Sequence, residues 1–147
     1  FQITKKIIEL RPIDTTLELV NLIKDTVPRQ NPIFTNKSIR KIFQGLRIEV
    51  NNELSEIETS LREIKNYLDT DGAIVCISYH SLEDKIVKAF MTDLTVSCIC
   101  DPKAPICICA TEQEFRYHKK KKYTPSPEEK SLNPRSKSAI MRCVIKL

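Results

Sequence analysis

The sequence predicts an α/β fold, and three observations predict it. Ala73-Ile74-Val75-Cys76-Ile77 is a short, continuous apolar run rich in β-branched residues. A long helical stripe precedes it, and a capped helical segment opening at Ser81-Leu82-Glu83-Asp84 follows it. An apolar run of this length, set between helices, reads as a central parallel strand buried on both faces.

The elements follow in order. Ile3, Ile7 and Leu10 recur at helical spacing, so the chain opens on the end of a helix that Arg11-Pro12 breaks. Thr15-Thr16-Leu17-Glu18 reads as a capping box with Thr15 at the cap. Leu17, Val20, Ile23, Lys24 and Val27 continue it as an amphipathic helix closed by Pro28, and Gln30-Asn31-Pro32 reads as a loop. From about Ser38 to Leu68 apolar residues step by three or four, including Ile39, Phe43, Leu46, Leu54, Leu61 and Leu68. That stripe predicts one long helix, or two in line, packed on a core. Asp69-Thr70-Asp71-Gly72 predicts a turn into the apolar run. In the helix opening at Ser81, Leu82, Ile86, Ala89 and Phe90 are assigned to the inner side. Beyond Leu94 regular helix is expected to stop. Glu114–His118 and Ala139–Leu147 alternate apolar and polar residues, as an antiparallel pair at a sheet edge does. In the second of these, Met141, Cys143, Ile145 and Leu147 face one way, and Arg142 and Lys146 the other.

Composition narrows the function. In 147 residues, 41% hydrophobic and 29% charged, the balance is that of a folded domain and not of a disordered tail. Only Gly45 and Gly72 are glycines, which excludes a glycine-rich phosphate loop within this stretch. There is no apolar run of about 18 residues, so no helix is expected to span a membrane. The start at Phe1, without Met and with a helix under way, suggests a chain that begins inside a larger protein. The net charge of +5 is unevenly spread. Lys119, Lys120, Lys121 and Lys122 form one run, Arg40, Lys41 and Arg47 make an early helical face basic, and Arg135 and Lys137 precede the last strand. Such a basic excess favours an anionic partner, with nucleic acid ahead of membrane, and a merely solvated surface stands open beside that reading.

The candidate chemistry lies after the apolar run. Ligands of open α/β sheets sit beyond the carboxyl ends of parallel strands. Ser78, Tyr79, His80 and Ser81 occupy that place, so hydroxyls, an aromatic ring and an imidazole converge on a helix start. A structural account is open beside the functional one: Ser81 caps, Glu83 and Asp84 complement the helix dipole, and His80 bonds a neighbour.

These residues also carry a resemblance. The run from Gly72 to Lys88 resembles the signature of the MraW/RsmH family of ribosomal RNA cytosine-N4 methyltransferases, in which a buried strand runs into Ser-Phe-His-Ser-Leu-Glu-Asp. Phe43-Gln44-Gly45-Leu46-Arg47-Ile48, Cys98-Ile99-Cys100 with Cys107-Ile108-Cys109, and Asn133-Pro134-Arg135-Ser136-Lys137-Ser138-Ala139 are similar to further blocks of that family, in the same order. The chain departs from the pattern at Tyr79 for Phe, Lys85 for Arg, Asp71 for a second Gly and Gly45 for Ala.

The resemblance implies the C-terminal part of a Rossmann-like, S-adenosylmethionine-dependent methyltransferase sheet from residue 38 to 147. Residues 1–37 are then the end of a helical substrate-recognition insert. It implies a cytoplasmic enzyme that methylates N4 of a cytidine in small-subunit ribosomal RNA. The donor pocket is expected mostly outside this segment, in an N-terminal half of the same protein, and no cofactor-binding residue is assigned here. Tyr79 is assigned to base packing, Ser78, His80 and Ser81 to polar contacts, and Glu83 or Asp84 to orienting His80. Arg40, Lys41, Arg47, Lys119–Lys122, Arg135 and Lys137 are assigned to RNA. A non-catalytic RNA-binding or ribosome-assembly module is the rival reading.

Six cysteines complete the inventory. Cys76 and Cys143 read as small core residues. Cys98, Cys100, Cys107 and Cys109 make C-x-C twice, with Asp101-Pro102 and Ala104-Pro105 as a turn between the pairs. Four soft ligands suit Zn²⁺, but C-x-C in an extended chain holds its sulfurs apart, so thiols lining a loop are preferred and no metal is assigned.

Overall fold

The computed structural model describes residues 2–27, 32–101, 106, 108–109 and 111–147. Pro28, Gln30, Asn31, Cys107 and most of the turn between the cysteine pairs lie outside them. The chain divides into two compact units, Phe1–Glu53 and Leu54–Leu147.

The first unit is helical. α1 (Gln2–Glu9) and α2 (Thr16–Thr26) flank Arg11-Pro12. The expected capping box is present: Glu18 N–H donates to Thr15 Oγ1, and Thr15 N–H donates to the Glu18 carboxylate. The buried face of α2 is Leu19, Leu22 and Ile23, joined by Val27, whereas Leu17 is exposed. Leu17, the second residue of α2, falls on the side of the helix away from Leu19, Leu22 and Ile23, which is why it fails as a core residue. α3 (Pro32–Val50) opens at the proline expected in a loop, a position where the missing N–H costs nothing. Ile39, Ile42 and Phe43 of α3 pack on Leu19, Ile23 and Val27.

The long stripe is two helices. α4 (Glu53–Ile64) follows α3 after Asn51 and Asn52, and Asn52 takes a left-handed φ of 53°. Asparagine tolerates that conformation better than most residues, so it breaks the helix cheaply. The second unit then builds a three-stranded antiparallel sheet in the order β1-β3-β2. β1 (Ala73–Ser78) leads into α5 (Ser81–Leu94), then β2 (Phe115–Tyr117), α6 (Pro127–Leu132) and β3 (Ile140–Lys146). The chain is thus a mixed α/β protein.

Several expectations are corrected. β1 is not a central parallel strand among the described residues: it pairs antiparallel with β3, from Ala73↔Ile145 to Ser78↔Ile140. It is buried on one face only, with Ile74 and Ser78 inside and Val75 and Ile77 more than half exposed. The late strands do pair antiparallel, but β3 is the middle strand and only β2 is at an edge. Helix also resumes beyond Leu94, in α6. Ser126 Oγ accepts the N–H of Glu129, and Pro127 sits at the first helical position. That start signal stood in the sequence.

α5 buries a stripe rotated from the one expected, and of the expected residues only Ile86 and Phe90 pack against the core. Val87, Met91 and Leu94 are inside, with Met91 fully buried, whereas Leu82 and Ala89 are exposed. Both sets recur at helical spacing, and only the position of the sheet chooses between them. Val87, Met91 and Leu94 join Leu61, Ile74, Phe115 and Val144 in one core on a single face of the sheet. Each such side chain contributes roughly 1.5–3 kcal/mol relative to exposure. Arg142 also lies on this buried face, contrary to the expected alternation, because Asp84 of α5 neutralises it there. Its Nε and Nη2 donate to Asp84 Oδ1 and Oδ2 at 2.8 and 2.9 Å.

The expected turn before β1 is present, and Asp71 itself takes the left-handed conformation, with φ 65°. Gly72 has no room for a side chain: an added Cβ would meet the Asp69 carbonyl oxygen at 2.8 Å. At Gly45, by contrast, nothing lies within 4 Å of an added Cβ.

Two measurements check this account. Gly45→Ala should raise stability by about 0.5–1 kcal/mol in urea denaturation, since α3 gains propensity without a clash. The Arg142 hydrogen bonds, opposed by desolvation and helped by the charges of Arg142, Lys122 and Lys88, hold the Asp84 carboxyl below its usual pKa. The pair's side chains are only 7% and 16% exposed. Asp84→Ala should therefore cost about 3–5 kcal/mol at neutral pH, as for a buried ion pair stripped of one partner. A depressed folded-state pKa gives stability above the unfolded value of about 3.9, lost as the pH falls through the lowered one. The wild type should thus lose more stability between neutral and acid pH than Asp84→Asn does.

Candidate nucleic-acid interface

The site is assembled at one edge of the sheet in the second unit. β1 and β2 both run antiparallel to β3, so they are parallel to each other and end at the same edge. Ser78 pairs with Ile140, the first residue of β3, so the segment leading into β3 arrives there too. His118 N–H donates to the Cys143 carbonyl, and Tyr123 bridges to Met141, which keeps the lysine turn at this edge. Three separate parts of the chain therefore meet: Tyr79-His80-Ser81, the turn 118–123 and the segment 133–139.

The first part is a helix start built around His80. His80, and not Ser81, is the N-cap of α5. Its Nδ1 accepts the Glu83 N–H at 3.3 Å, and the Glu83 carboxylate accepts the N–H groups of Tyr79 and His80 at 2.8 and 3.2 Å. An Nδ1 that accepts leaves the neutral ring's proton on Nε2. That nitrogen lies 3.0 Å from Glu83 Oε1 but is not aligned for a hydrogen bond. His80 thus locks the turn that carries its neighbours. Glu83 orients His80 as expected of one of the two carboxylates, and Asp84 holds Arg142 instead. Ser78 is 3% exposed and Tyr79 57%, so the ring, with Ser81, faces outward while the Ser78 hydroxyl lies inside.

The second part is the lysine turn. The Tyr123 hydroxyl accepts the N–H groups of Lys119 and Lys120, each at 3.2 Å, and lies 2.9 Å from His118 Nδ1. Arg142 Nη1 donates to the Lys121 carbonyl at 2.8 Å, so the ion pair that fixes α5 also fixes this turn. Lys121 Nζ stands 5.5 Å from the centre of the Tyr117 ring. All four lysines are exposed on a backbone that is tied down at several points.

In the third part, Asn133 Oδ1 accepts the Arg135 N–H, and Ser136 is buried with its hydroxyl on the Asn133 carbonyl. Arg135 and Lys137 are left exposed on either side. Arg40, Lys41 and Arg47 are not part of this edge: they lie on α3 in the first unit, where Arg47 pairs with Glu53 at 2.7 Å.

Sequence reasoning missed Tyr123 and Arg142 as the groups that shape the edge. Arg142 has no local signal, since its partners are 58 and 21 residues away, whereas the hydroxyl partners of Tyr123 lie only three to five residues before it. An open apolar groove of about 470 Å³ between α4 and α5 was missed as well. Its floor includes Leu54, Leu61, Leu82, Ile86 and Phe90.

Burial raises the pKa of Cys76, assisted by Cys143, and that of Cys143, which makes both poor thiolates. Among the described residues, no helix is long and apolar enough to cross a membrane.

Comparison with known proteins gives a consistent picture. Residues 1–147 match the MraW methylase family. Ribosomal RNA small subunit methyltransferase H of Clostridioides difficile (strain 630) is 41% identical, over 99% of this chain and 48% of its own length. The protein of the same name from Caldicellulosiruptor saccharolyticus is 42% identical over the same shares. The chain spans about half the length of the curated relatives it matches.

A stability test separates capping from chemistry at His80. Replacing it with alanine should lower stability by about 1 kcal/mol, while asparagine, itself a good cap, should restore most of that in urea denaturation.

Proposed function

The chain belongs to the MraW methylase family, and on that premise we propose that it forms the substrate-side part of an enzyme that methylates N4 of a cytidine in small-subunit ribosomal RNA, working in the cytoplasm. The observation that carries this reading is the meeting of an exposed tyrosine, a capped helix start, a lysine turn and Arg135 with Lys137 at one sheet edge. RNA bases unstacked from a strand rest on aromatic rings, and the strand's phosphates are gripped by lysine and arginine.

On this reading the sheet is the C-terminal part of a Rossmann-like methyltransferase sheet, and residues 1–37 end a substrate-recognition insert. Among the described residues β1 pairs only on its β3 side, and Val75 and Ile77 expose an apolar face. Both features suit completion by the part of the relatives' length that this chain does not span. The family implies S-adenosylmethionine as methyl donor. The described residues do not fit it alone: Gly45 lies within a helix and Gly72 is closed in by Leu68 and Asp69, so neither opens a loop onto a nucleoside. Donor binding is therefore assigned to the other part of the protein.

What these residues do is hold the base. The cytosine N4 lone pair is delocalised into the ring, so the amine needs a fixed orientation and acceptors for its hydrogens. Tyr79 supports the base, and Ser81 and the peptide groups beside it supply polar contacts. Ser78 underlies them, and His80 is a positioning residue that keeps the turn rigid. Lys119–Lys122, Arg135 and Lys137 hold the RNA backbone here, and Arg40, Lys41 and Arg47 do so from the first unit.

The test uses the full-length enzyme with small ribosomal subunits as substrate. Tyr79→Ala should lower kcat at least tenfold. His80→Asn should preserve both kcat and KM if the imidazole only positions the turn. Replacing all four lysines with glutamine should raise KM and flatten the salt dependence of binding, by about 0.7 in log–log slope for each phosphate that is no longer neutralised. Wild-type kinetics in both the tyrosine and the lysine variants would remove this edge from the reaction. RNA binding without methyl transfer by the full-length wild type would favour the assembly-module reading.

A further inference from the structure

The segment from Thr95 to Glu114 contains no helix or strand among its described residues. Loops much longer than about 12–15 residues are uncommon in compact domains unless something organises them. Apolar burial does not organise this one: Ile99, Ile106 and Ile108 are 73%, 73% and 87% exposed. What lies together instead is sulfur. The Sγ atoms of Cys98, Cys100 and Cys109 are all within 4.8 Å of one another.

The geometry points to a metal centre, and we propose that Cys98, Cys100 and Cys109 bind one Zn²⁺ as thiolates. A tetrahedral site with Zn–S bonds of about 2.3 Å has sulfur–sulfur edges of about 3.8 Å. Cys98 and Cys109 stand at 3.8 Å. The sulfurs of Cys98 and Cys100 lie within 4.8 Å of each other, which removes the objection that C-x-C holds them apart. Backbone donors complete the case. Ile99 N–H points to Cys109 Sγ at 3.5 Å, and Ile108 N–H points to Cys100 Sγ at 3.4 Å. Each C-x-C segment thus offers a peptide N–H to a sulfur of the other. Such donors stabilise thiolate charge, which a metal centre of three thiolates needs.

The binding step is balanced simply. Each thiol gives its proton to solvent as its sulfur forms a bond to Zn²⁺, and no electron is transferred. The proposal rests on the three described thiols. A fourth donor completes the tetrahedron. Cys76 and Cys143 sit on the strands β1 and β3, and their raised pKa values make them poor ligands. The site is structural in this account: it cross-links a loop that has no core of its own.

The experiment is metal analysis of the full-length protein, purified under reducing conditions without a histidine tag. One zinc per chain is expected by plasma mass spectrometry. Replacement by Co²⁺ should produce thiolate-to-metal charge-transfer absorption and the visible bands of a tetrahedral ion. Cys98→Ser, Cys100→Ser and Cys109→Ser should each reduce zinc at least fivefold, whereas Cys143→Ser should keep it. The wild-type zinc content and cobalt spectrum decide the matter even if a serine variant fails to fold. Protein that takes up neither ion, serine variants that keep full zinc, or a disulfide among these cysteines in mass analysis would overturn the assignment. None of these readouts depends on methyl transfer, so the metal and the RNA reading fail separately.

Discussion

The ion pair between Arg142 and Asp84 is the constraint on which the second unit depends. It joins the middle strand to the first turn of the helix that covers the sheet, through two parallel hydrogen bonds. A guanidinium on the buried face is tolerable only with a carboxylate in reach and its remaining donors satisfied. The third contact, to the Lys121 carbonyl, meets that need and carries the constraint outward. One side chain therefore sets the height of α5 on the sheet and the position of the lysine turn at its edge.

The edge combines rigidity with exposure, and different residues supply the two. Glu83, His80, Tyr123 and Asn133 are engaged with backbone groups, and each holds a turn. Tyr79, the lysines, Arg135 and Lys137 project from those turns to solvent. Fixing the backbone while leaving the cations exposed lowers the ordering needed when an anionic strand is bound. The same edge is where β1 and β2, each antiparallel to β3, hand the chain on to these turns. The opposite face of β1, with Val75 and Ile77 uncovered, belongs to a sheet whose relatives are about twice as long.

The cysteine loop solves a different problem. It joins α5 to β2, and none of its described residues belongs to the core of Leu61, Ile74, Met91, Phe115 and Val144. A segment that buries little apolar surface has to be ordered by some other interaction. Three converging sulfurs with peptide donors aimed at two of them provide one, whereas Cys143 serves as an ordinary core side chain.

The sequence by itself determined what is local. Helix starts at Thr15 and Pro127, the turn before β1, the strand at 73–78 and the position of Tyr79-His80-Ser81 after it all follow from signals within a few residues. So did family membership, through four short blocks in order. Tertiary structure alone decided partners and faces. α5 has two apolar stripes of equal helical spacing, and only the place of the sheet selects Val87 and Met91 over Leu82 and Ala89. β1 reads as buried on both faces from its composition, yet its neighbour is β3, more than sixty residues on and antiparallel. Arg142 alternates like an outward residue until Asp84 lies opposite it. Cys98 and Cys100 read as thiols that point apart, yet their sulfurs converge with that of Cys109. Periodicity and capping record energies between neighbours in the chain. Strand pairing, buried charge and metal geometry are energies between residues far apart in it, and only the folded chain brings them within reach.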